Sequence, residues 1–256
     1  MTKPSATQPN QPPEVPNQSA GAAATTVPGR ALIVSAHPDD PEFGAGGTLA
    51  KWTAAGSTVA IVIVTDGSKG SSDRSMTSDR LVPLRQAEER AAAARLGVQD
   101  VTFLGFPDGA TMPDLALRHA ITREIRRFRP DLIITHDPAT LYWDQYINHP
   151  DHRAVGQAAL DAIFPTARDH LNAPEHLAEG LEPHIVPVVY LTGSQAPDTW
   201  EDITPTLETK LAALREHKSQ FTDLDAMAGR VRERSRGVAE GHGMEYAEAF
   251  KKIAFQ

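Results

Sequence analysis

The sequence predicts an α/β protein: a three-layer, Rossmann-like sandwich with a mostly parallel central sheet. Short continuous apolar runs, such as Ala31–Ser35 and Val59–Val64, are typical of buried parallel strands. Stretches of helical length and spacing separate these runs, and strands that alternate with helices favour βαβ units. Right-handed crossovers then place helices on both faces of the sheet.

Strands and helices alternate along the chain. The predicted strands are Ala31–Ser35, Val59–Val64, Val101–Leu104, Leu132–Thr135 and Val186–Leu191. The first predicted helix contains Thr48, Leu49 and Trp52 and ends at Gly56. The second is Leu81–Leu96, with Gly97 as its C-cap. The others are Leu115–Phe128, which stops before Pro130, Arg153–Phe164 and Leu207–Phe221. Because Pro187 falls in the last predicted strand, that strand is expected near a sheet edge. The final 30 residues show no clear pattern.

Residues 1–29 differ in composition from the rest of the chain. They hold six of the 20 prolines, no Leu, Ile or aromatic residue, and only two charged side chains, Lys3 and Glu14. Such a segment buries too little apolar surface to offset the entropy of ordering it, so a disordered tail is predicted at 1–29. A single domain is predicted at 30–256. The tail lacks the apolar region of a secretory signal, so we expect a cytoplasmic protein.

Composition excludes several classes of protein. No apolar run approaches the roughly 18–20 residues of a membrane span. The formal charge of −8 disfavours a non-specific nucleic-acid binder. The chain has no Cys, which excludes disulfides and thiolate metal sites. Any transition metal must therefore be held by carboxylates and by some of the ten His.

The first predicted strand is followed by a cluster of His37, Asp39, Asp40 and Glu42. Ligands of open α/β sheets bind at the carboxyl ends of the strands, where this cluster lies. His37 and Asp40 could meet at a divalent cation while Asp39 stays free beside it. Alternatively, the three carboxylates cap the following helix. Capping needs only one acidic residue, however, and it does not need His37.

A second cluster follows the fourth predicted strand and opens a helix. It contains His149, Asp151 and His152 within the segment Asn148–Arg153. Two His-Pro-Asp turns after two parallel strands are not expected by chance. Together they offer a His/Asp/His set with an open coordination position, which is typical of catalytic zinc sites.

The paired segments resemble the PIG-L/LmbE family of zinc-dependent N-deacetylases over roughly residues 30–256. The resemblance is carried by His37–Glu42 with Gly46 and Gly47, His149–His152, Thr65–Gly67 with Gly70, Arg85–Glu88 leading to Leu96 and Gly97, Leu104–Gly109, His217–Gln220 and Ala247–Phe250. It implies that His37, Asp40 and His152 bind one zinc ion per chain. A site of two His and one Asp would also accept Fe²⁺ or Co²⁺.

The resemblance also implies roles for five further residues. Asp39 would be the general base that takes a proton from the attacking water. His149 would stabilise the tetrahedral oxyanion or donate a proton to the leaving amine, and Asp151 would orient His149. Arg85 and Asp108 match positions that bind sugar hydroxyls in related deacetylases.

The resemblance implies a zinc-dependent hydrolase that uses metal-activated water to cleave an N-acyl amide. The expected acyl group is acetyl, and the expected substrate is an N-acetylglucosaminyl or related amino-sugar derivative. The partner would be a small amino sugar or glycoconjugate, with no nucleic acid and no membrane span, and a homo-oligomer is left open. Alternatives in the same class are an amidase of mycothiol conjugates or of a specialised metabolite. Alternatives in other classes are a metal-binding, sugar-binding protein without turnover and a phosphoester hydrolase, which would usually need two metals.

Three further segments have open interpretations. Tyr142, Trp143 and Tyr146 could stack on a sugar or an acyl group, or could pack the loop before His149. The basic run Arg230–Arg236 is either a solvated helix face or a lip that contacts an anionic substrate group. The glycines of Gly44–Gly47 do not complete a dinucleotide-binding pattern and are predicted to allow close packing at a helix start.

Overall fold

The computed structural model describes residues 27–255. Its centre is a seven-stranded sheet with the strand order β3-β2-β1-β4-β7-β9-β8. Its strands are β1 (Arg30–Ser35), β2 (Thr58–Thr65), β3 (Asp100–Phe106), β4 (Leu132–His136), β7 (Val188–Thr192), β8 (Thr199–Asp202) and β9 (Ala247–Ala254). A separate antiparallel hairpin pairs β5 (Tyr142–Trp143) with β6 (Tyr146–Ile147). Strand β9 runs antiparallel to both of its neighbours and the other pairs are parallel, so the mostly parallel sheet is confirmed.

Helices cover both faces of the sheet. They are α1 (Asp40–Ala54), α2 (Ser78–Arg95), α3 (Leu115–Phe128), α4 (Pro150–Ile163), α5 (Glu175–Ala178), α6 (Leu207–Leu214) and α7 (Leu224–Ala239), with short 3-10 helices at Thr166–Arg168 and Thr204–Thr206. On one face, Leu32 and Val34 of β1 pack in a core with side chains of α3 and α4. On the other face, Ala31 and Ile33 pack with side chains of α1, α2 and α6. The predicted three-layer sandwich is thereby confirmed.

The predicted tail, 1–29, lies outside the described residues except for its last three. Those last residues already contact the sheet: the Pro28 carbonyl accepts a hydrogen bond from the Ser57 hydroxyl, and the Gly29 carbonyl accepts one from the Thr58 N–H. Contacts with the sheet thus begin slightly before Arg30.

The prediction that the Val186–Leu191 strand lies near a sheet edge is wrong. Strand β7 begins at Val188, just after Pro187, and hydrogen-bonds to β4 on one side and β9 on the other. Because the proline precedes the strand, its missing N–H interrupts no ladder. The Pro187 carbonyl still accepts a hydrogen bond from the Phe255 N–H.

The predicted helix Leu207–Phe221 is too long. Helix α6 ends at Leu214, and the chain then turns so that the His217 side chain is completely buried. A new helix, α7, begins after Asp223, whose carboxylate accepts hydrogen bonds from two N–H groups of its first turn. The unassigned C-terminal residues supply most of α7 and the interior strand β9.

Two helical glycines permit close contacts that position the site. A Cβ on Gly47 would lie 2.6 Å from the Ile203 side chain, which confirms close packing of the Gly44–Gly47 segment. A Cβ on Gly156 would lie 2.3 Å from the His136 carbonyl oxygen. Helix α4 can therefore approach the carboxyl end of β4 only because residue 156 has no side chain.

Within residues 27–255, none of the helices combines the length and the apolar character needed to span a bilayer.

Candidate metal and catalytic site

The two His-Pro-Asp segments meet at one edge of the sheet. Strands β1 and β4 are parallel neighbours, so their carboxyl ends lie side by side. The first segment connects β1 to α1, and the second opens α4. The rings of His37 and His149 make an edge-to-face contact with centroids 4.6 Å apart. The sequence pattern thus correctly placed the two clusters together.

The three predicted metal ligands lie close together. Asp40 contacts His37 through Oδ2, 3.3 Å from Nδ1, and His152 through Oδ1, 3.2 Å from Nε2. One ligand atom from each of the three residues can be chosen so that all lie within 4.8 Å of one another. Two imidazole nitrogens and one carboxylate oxygen form a donor set that suits Zn²⁺ with a position left open. The residues present therefore fit the metal.

The second ring nitrogen of His37 faces two other carboxylates. Its Nε2 lies 3.2 Å from Asp151 Oδ2 and 3.3 Å from Asp108 Oδ1. Burial opposes protonation of His37, but hydrogen bonds to Asp108, Asp151 and Asp40 outweigh it and raise the pKa to about 12. A histidine that binds metal through one nitrogen usually donates its other N–H to a carboxylate. Asp151 and Asp108 are placed to accept that N–H.

A competing group of potential ligands shares His37 and adds Asp108, His149 and Asp151. Its carboxylates are already occupied by backbone donors. Asp151 accepts hydrogen bonds from the N–H groups of Gly109 at 2.7 Å and Thr111 at 3.2 Å. Asp108 accepts one from the Lys69 N–H at 3.0 Å. These bonds favour a supporting role for both carboxylates over direct coordination.

Asp39 has an unusual backbone conformation. Its φ of 98° lies in the left-handed region that residues with a side chain rarely adopt. Its N–H donates to Glu89 Oε2 at 3.0 Å, and its carboxylate lies 3.6 Å from an Arg85 nitrogen. Burial and the neighbouring Asp40 raise the pKa of Asp39 to about 6. The Asp39 side chain makes no capping hydrogen bond to α1, so the capping alternative is wrong for this residue.

Glu89 belongs to a completely buried cluster with Glu42 and His217. His217 Nε2 lies 3.2 Å from Glu42 Oε2 and 3.9 Å from Glu89 Oε2. Burial raises the pKa of Glu42 to about 8, and burial together with Glu42 raises the pKa of Glu89. The cluster thus forms a polar support beneath Asp39. The sequence indicated Glu42 and His217 as family matches but not Glu89, which follows the Arg85–Glu88 motif directly.

His149 is the N-cap residue of α4. Its Nδ1 accepts a hydrogen bond from the Asp151 N–H at 3.2 Å, which leaves Nε2 to carry the proton of the neutral ring. Burial and the nearby His37 lower the pKa of His149. The Asp151 carboxylate lies 3.9 Å from His149 Nδ1 but 3.2 Å from His37 Nε2. The structure therefore places Asp151 closer to His37 than to its predicted partner, His149.

The two predicted sugar-binding residues, Arg85 and Asp108, are almost fully buried. Arg85 donates to the carbonyls of Pro38 at 2.8 Å, Lys69 at 3.1 Å and Gly67 at 3.3 Å. It thus fastens the loop after β2 to the His37–Asp40 turn. Asp108 and Arg85 are only 4–5% exposed, and the contacts they make in the structure hold loops in place. Their contact with substrate stays a prediction.

His136, the last residue of β4, was not predicted as a site residue. Its ring stacks on that of His152, with centroids 4.2 Å apart and an interplanar angle of 9°. Its Nε2 accepts a hydrogen bond from the Ala36 N–H, and burial and His152 lower its pKa to about 4. A neutral His136 therefore fixes the plane of His152. Its position at the carboxyl end of a predicted strand was the signal available in the sequence.

A cavity of about 330 Å³ opens beside Asp40 and His152. Its wall includes Trp143, Tyr146 and Arg234. Trp143 and Tyr146 belong to the β5–β6 hairpin, and Arg234 belongs to α7. The space is within the range of small-molecule sites.

Comparison with known proteins places these features in a family. The family model described as PIG-L: GlcNAc-PI de-N-acetylase matches residues 32–163. The chain is 34% identical to a diacetylchitobiose deacetylase of Thermococcus kodakarensis, over 76% of this chain and 71% of that relative. It is 30% identical to a 1D-myo-inositol 2-acetamido-2-deoxy-α-D-glucopyranoside deacetylase of Nocardioides sp., over 75% of this chain and 83% of the relative. Among solved structures, the N,N′-diacetylchitobiose deacetylase from Pyrococcus horikoshii matches with a TM-score of 0.82 and 30% identity, over 89% of this chain and 84% of that one.

Proposed function

Because the chain belongs to the PIG-L family of de-N-acetylases, we propose that it hydrolyses the acetamide of an N-acetylglucosaminyl conjugate with the aid of a bound zinc ion. It is an amide hydrolase, like the relatives named above. The observation that carries the proposal is the meeting of His37, Asp40 and His152 beside a cavity, with Asp39 and His149 next to them in the chain.

We propose that His37 Nδ1, a carboxylate oxygen of Asp40 and His152 Nε2 hold the ion. When bound, zinc would lower the pKa of a water molecule to about 7 and polarise the amide carbonyl. Around these ligands, Asp151 and Asp108 fix the ring of His37, and His136 fixes the ring of His152.

Asp39 acts as the general base in this proposal. It accepts a proton as the water oxygen attacks the carbonyl carbon, and it passes a proton to the nitrogen as the C–N bond breaks. The products are acetate and a primary amine. The Arg85 guanidinium and the Glu89 carboxylate hold Asp39 in the conformation this transfer needs.

His149 stabilises the oxyanion of the tetrahedral adduct. Its lowered pKa keeps the ring neutral near pH 7, and its Nδ1 is occupied as the acceptor from the Asp151 N–H. The Nε2–H is then the group that donates to the oxyanion. Of the two roles predicted for His149, the geometry supports this one better than proton donation to the amine.

The proposal is tested by amine release from a panel of N-acetylglucosaminyl compounds. The panel contains free N-acetylglucosamine, its inositol conjugate, a mycothiol-like amide and diacetylchitobiose. The readouts are the primary amine and, in equal amount, the released acid, which is acetate for every member except the mycothiol-like amide. The zinc-loaded protein should release both from at least one compound, and D39N should release neither. Zinc-loaded protein that releases no amine from any member would contradict the proposal and would favour binding without turnover. Two metal equivalents per chain would instead favour the phosphoester alternative.

A further inference from the structure

Arg234 differs from Arg232 and Arg236, its neighbours in the basic run Arg230–Arg236, in the partners of its guanidinium. Arg232 forms an ion pair with Glu208 on α6, with one contact of 2.8 Å, and Arg236 donates to the Tyr246 hydroxyl at 2.7 Å. Within residues 27–255, no carboxylate lies within 4.0 Å of the Arg234 guanidinium, and it makes no side-chain hydrogen bond. Arg234 is therefore available to bind a ligand.

Arg234 borders the same cavity as the proposed metal ligands. The cavity of about 330 Å³ that is lined by Asp40 and His152 also includes Arg234 in its wall. Among the described residues that line it, Arg234 is the one Lys or Arg side chain. A ligand whose acetamide lies at the metal site can thus extend to a single strong positive charge.

Trp143 and Tyr146 line both this cavity and a second one beside it. Their ring centroids are 5.5 Å apart, and together with Arg234 they line an adjoining cavity of about 300 Å³. Tyr146 is 56% exposed and belongs to none of the three hydrophobic core clusters of the described residues. Aromatic faces pack well against the apolar faces of a sugar or a polyol chain, and a guanidinium binds a carboxylate or a phosphate through paired N–H groups.

We propose that Arg234, Trp143 and Tyr146 form a subsite for an anionic group, a carboxylate or a phosphate, on the part of the substrate attached to the amino sugar. This inference rests on the proposed function, because it takes the acetamide to lie at the metal site. The aromatic side chains hold the attached group, and the guanidinium donates hydrogen bonds to its oxyanion. The subsite would make the enzyme prefer acidic conjugates over neutral ones of the same size.

The test uses two ligands that differ in charge and little else. N,N′-Diacetylchitobionate and N,N′-diacetylchitobiitol share the same chain, but the first ends in a carboxylate and the second in a hydroxymethyl group. Their dissociation constants are measured by calorimetry on zinc-loaded D39N, which is expected to bind without turnover. The same measurement is made with R234Q added, and with R230Q added as a control that removes one exposed charge from the same helix away from the cavity.

We expect D39N to bind the carboxylate ligand about tenfold or more tightly than the neutral one, as for a hydrogen bond to a charged group. R234Q should bring the ratio of the two dissociation constants to within about twofold of one, and R230Q should leave it unchanged. A ratio near one in D39N alone would overturn the subsite. A fall in the ratio with R230Q as large as that with R234Q would overturn it as well.

Amine release by the wild type is measured in parallel and separates the two proposals. Release from both ligands with equal dissociation constants would disprove the subsite and keep the deacetylase function. No release from either ligand or from any member of the panel above, with a ratio that depends on Arg234, would keep an anion-binding site at Arg234 and disprove the deacetylase function. Inorganic phosphate is added as a competitor, with the neutral ligand as the control, to distinguish a carboxylate-specific subsite from a general oxyanion subsite. Competition by phosphate at millimolar concentration would assign a general oxyanion subsite.

Discussion

Glu89 accepts a hydrogen bond of 3.0 Å from the backbone N–H of Asp39, a residue held at a φ of 98°. A left-handed conformation costs a residue with a side chain about 1–3 kcal/mol and persists only where its surroundings enforce it. Glu89 is completely buried, and with Glu42 and His217 it forms the support described above. We therefore regard Glu89 as a residue that positions the proposed base.

Replacing Glu89 by Ala should lower kcat about tenfold or more and change KM by less than about twofold, because the lost hydrogen bond releases the Asp39 backbone. E89Q keeps an acceptor oxygen and should recover most of kcat. The measurement is steady-state amine release together with zinc content and melting temperature. If E89A changes only the melting temperature, Glu89 has a purely structural role.

Replacing Asp39 by Asn should remove turnover and keep the zinc. Asn tolerates the left-handed conformation and has nearly the same shape, but it cannot accept the proton. We expect amine release to fall by about 10²–10⁴-fold, the usual contribution of a general base. Zinc content by atomic emission should stay at one per chain. Turnover at the wild-type rate would require a different base.

Replacing His37 or His152 by Ala should abolish zinc retention, because each removes one of the three proposed ligands. The matched control is H170A, since the His170 side chain is 70% exposed and lies outside the groups that could hold a metal. Zinc is counted after each protein is loaded and then dialysed. Full occupancy in both H37A and H152A would refute this set of ligands.

Replacement by Ala should lower the free energy of unfolding at Gly156 and raise it at Gly229. A Cβ at Gly156 would clash with the His136 carbonyl oxygen at 2.3 Å, so G156A should lose about 1–3 kcal/mol of unfolding free energy or more. Gly229 lies in α7 with no atom within 4 Å of a built Cβ, so G229A should gain about 0.5–1 kcal/mol. Urea unfolding of both variants checks this. A stable G156A would show that α4 can move away from β4.

His184 should make the protein less stable in acid. Its ring bonds to the Pro130 carbonyl at 2.8 Å. Burial lowers the pKa, Arg129 and Arg30 act in the same direction, and Pro130 and Asp131 oppose them. The unfolded chain therefore binds more protons below about pH 6.5, and the free energy of unfolding should fall as the pH drops through that range.

The pH dependence is checked by urea unfolding of the metal-free protein at several pH values between 5 and 8. H184Q keeps a side-chain N–H for Pro130 but cannot titrate, so its decline in acid should be shallower, by at most the effect of one proton. Identical slopes for wild type and H184Q would show that the pKa of His184 is the same in both states.

The sequence predicted the parts of the fold that local pattern determines. The buried runs of β1, β2 and β4 are nearly continuous in apolar residues, so neither their position nor their parallel pairing needed tertiary information. Strand β9 was missed because charged residues interrupt its apolar sequence: Glu248, Lys251 and Lys252 fall within Ala247–Ala254. Its place between β7 and β8 depends on contacts that are distant in the chain.

The same distinction holds at the site. His37 and His149 could be paired from sequence because both follow parallel strands and share a motif. The shorter distance of Asp151 to His37 than to His149 could not be predicted from sequence, because it depends on how α4 is oriented against β1. The compartment, the oligomeric state, the identity of the metal and the roles of the individual site residues stay predictions.

The position of β9 has a consequence for the order in which the protein folds during synthesis. Among the described residues, strand β8 pairs only with β9, and β9 also supplies Glu248, whose carboxylate accepts hydrogen bonds from the N–H groups of Gly47 and Thr48 in α1. A ribosome-bound chain that stops short of Ala247 leaves one side of β7 without its partner and α1 without this anchor. The helix that carries Asp40 therefore gains this anchor only after β9 has been synthesised, and a chain cut before Ala247 would present Asp40 on a helix that lacks it.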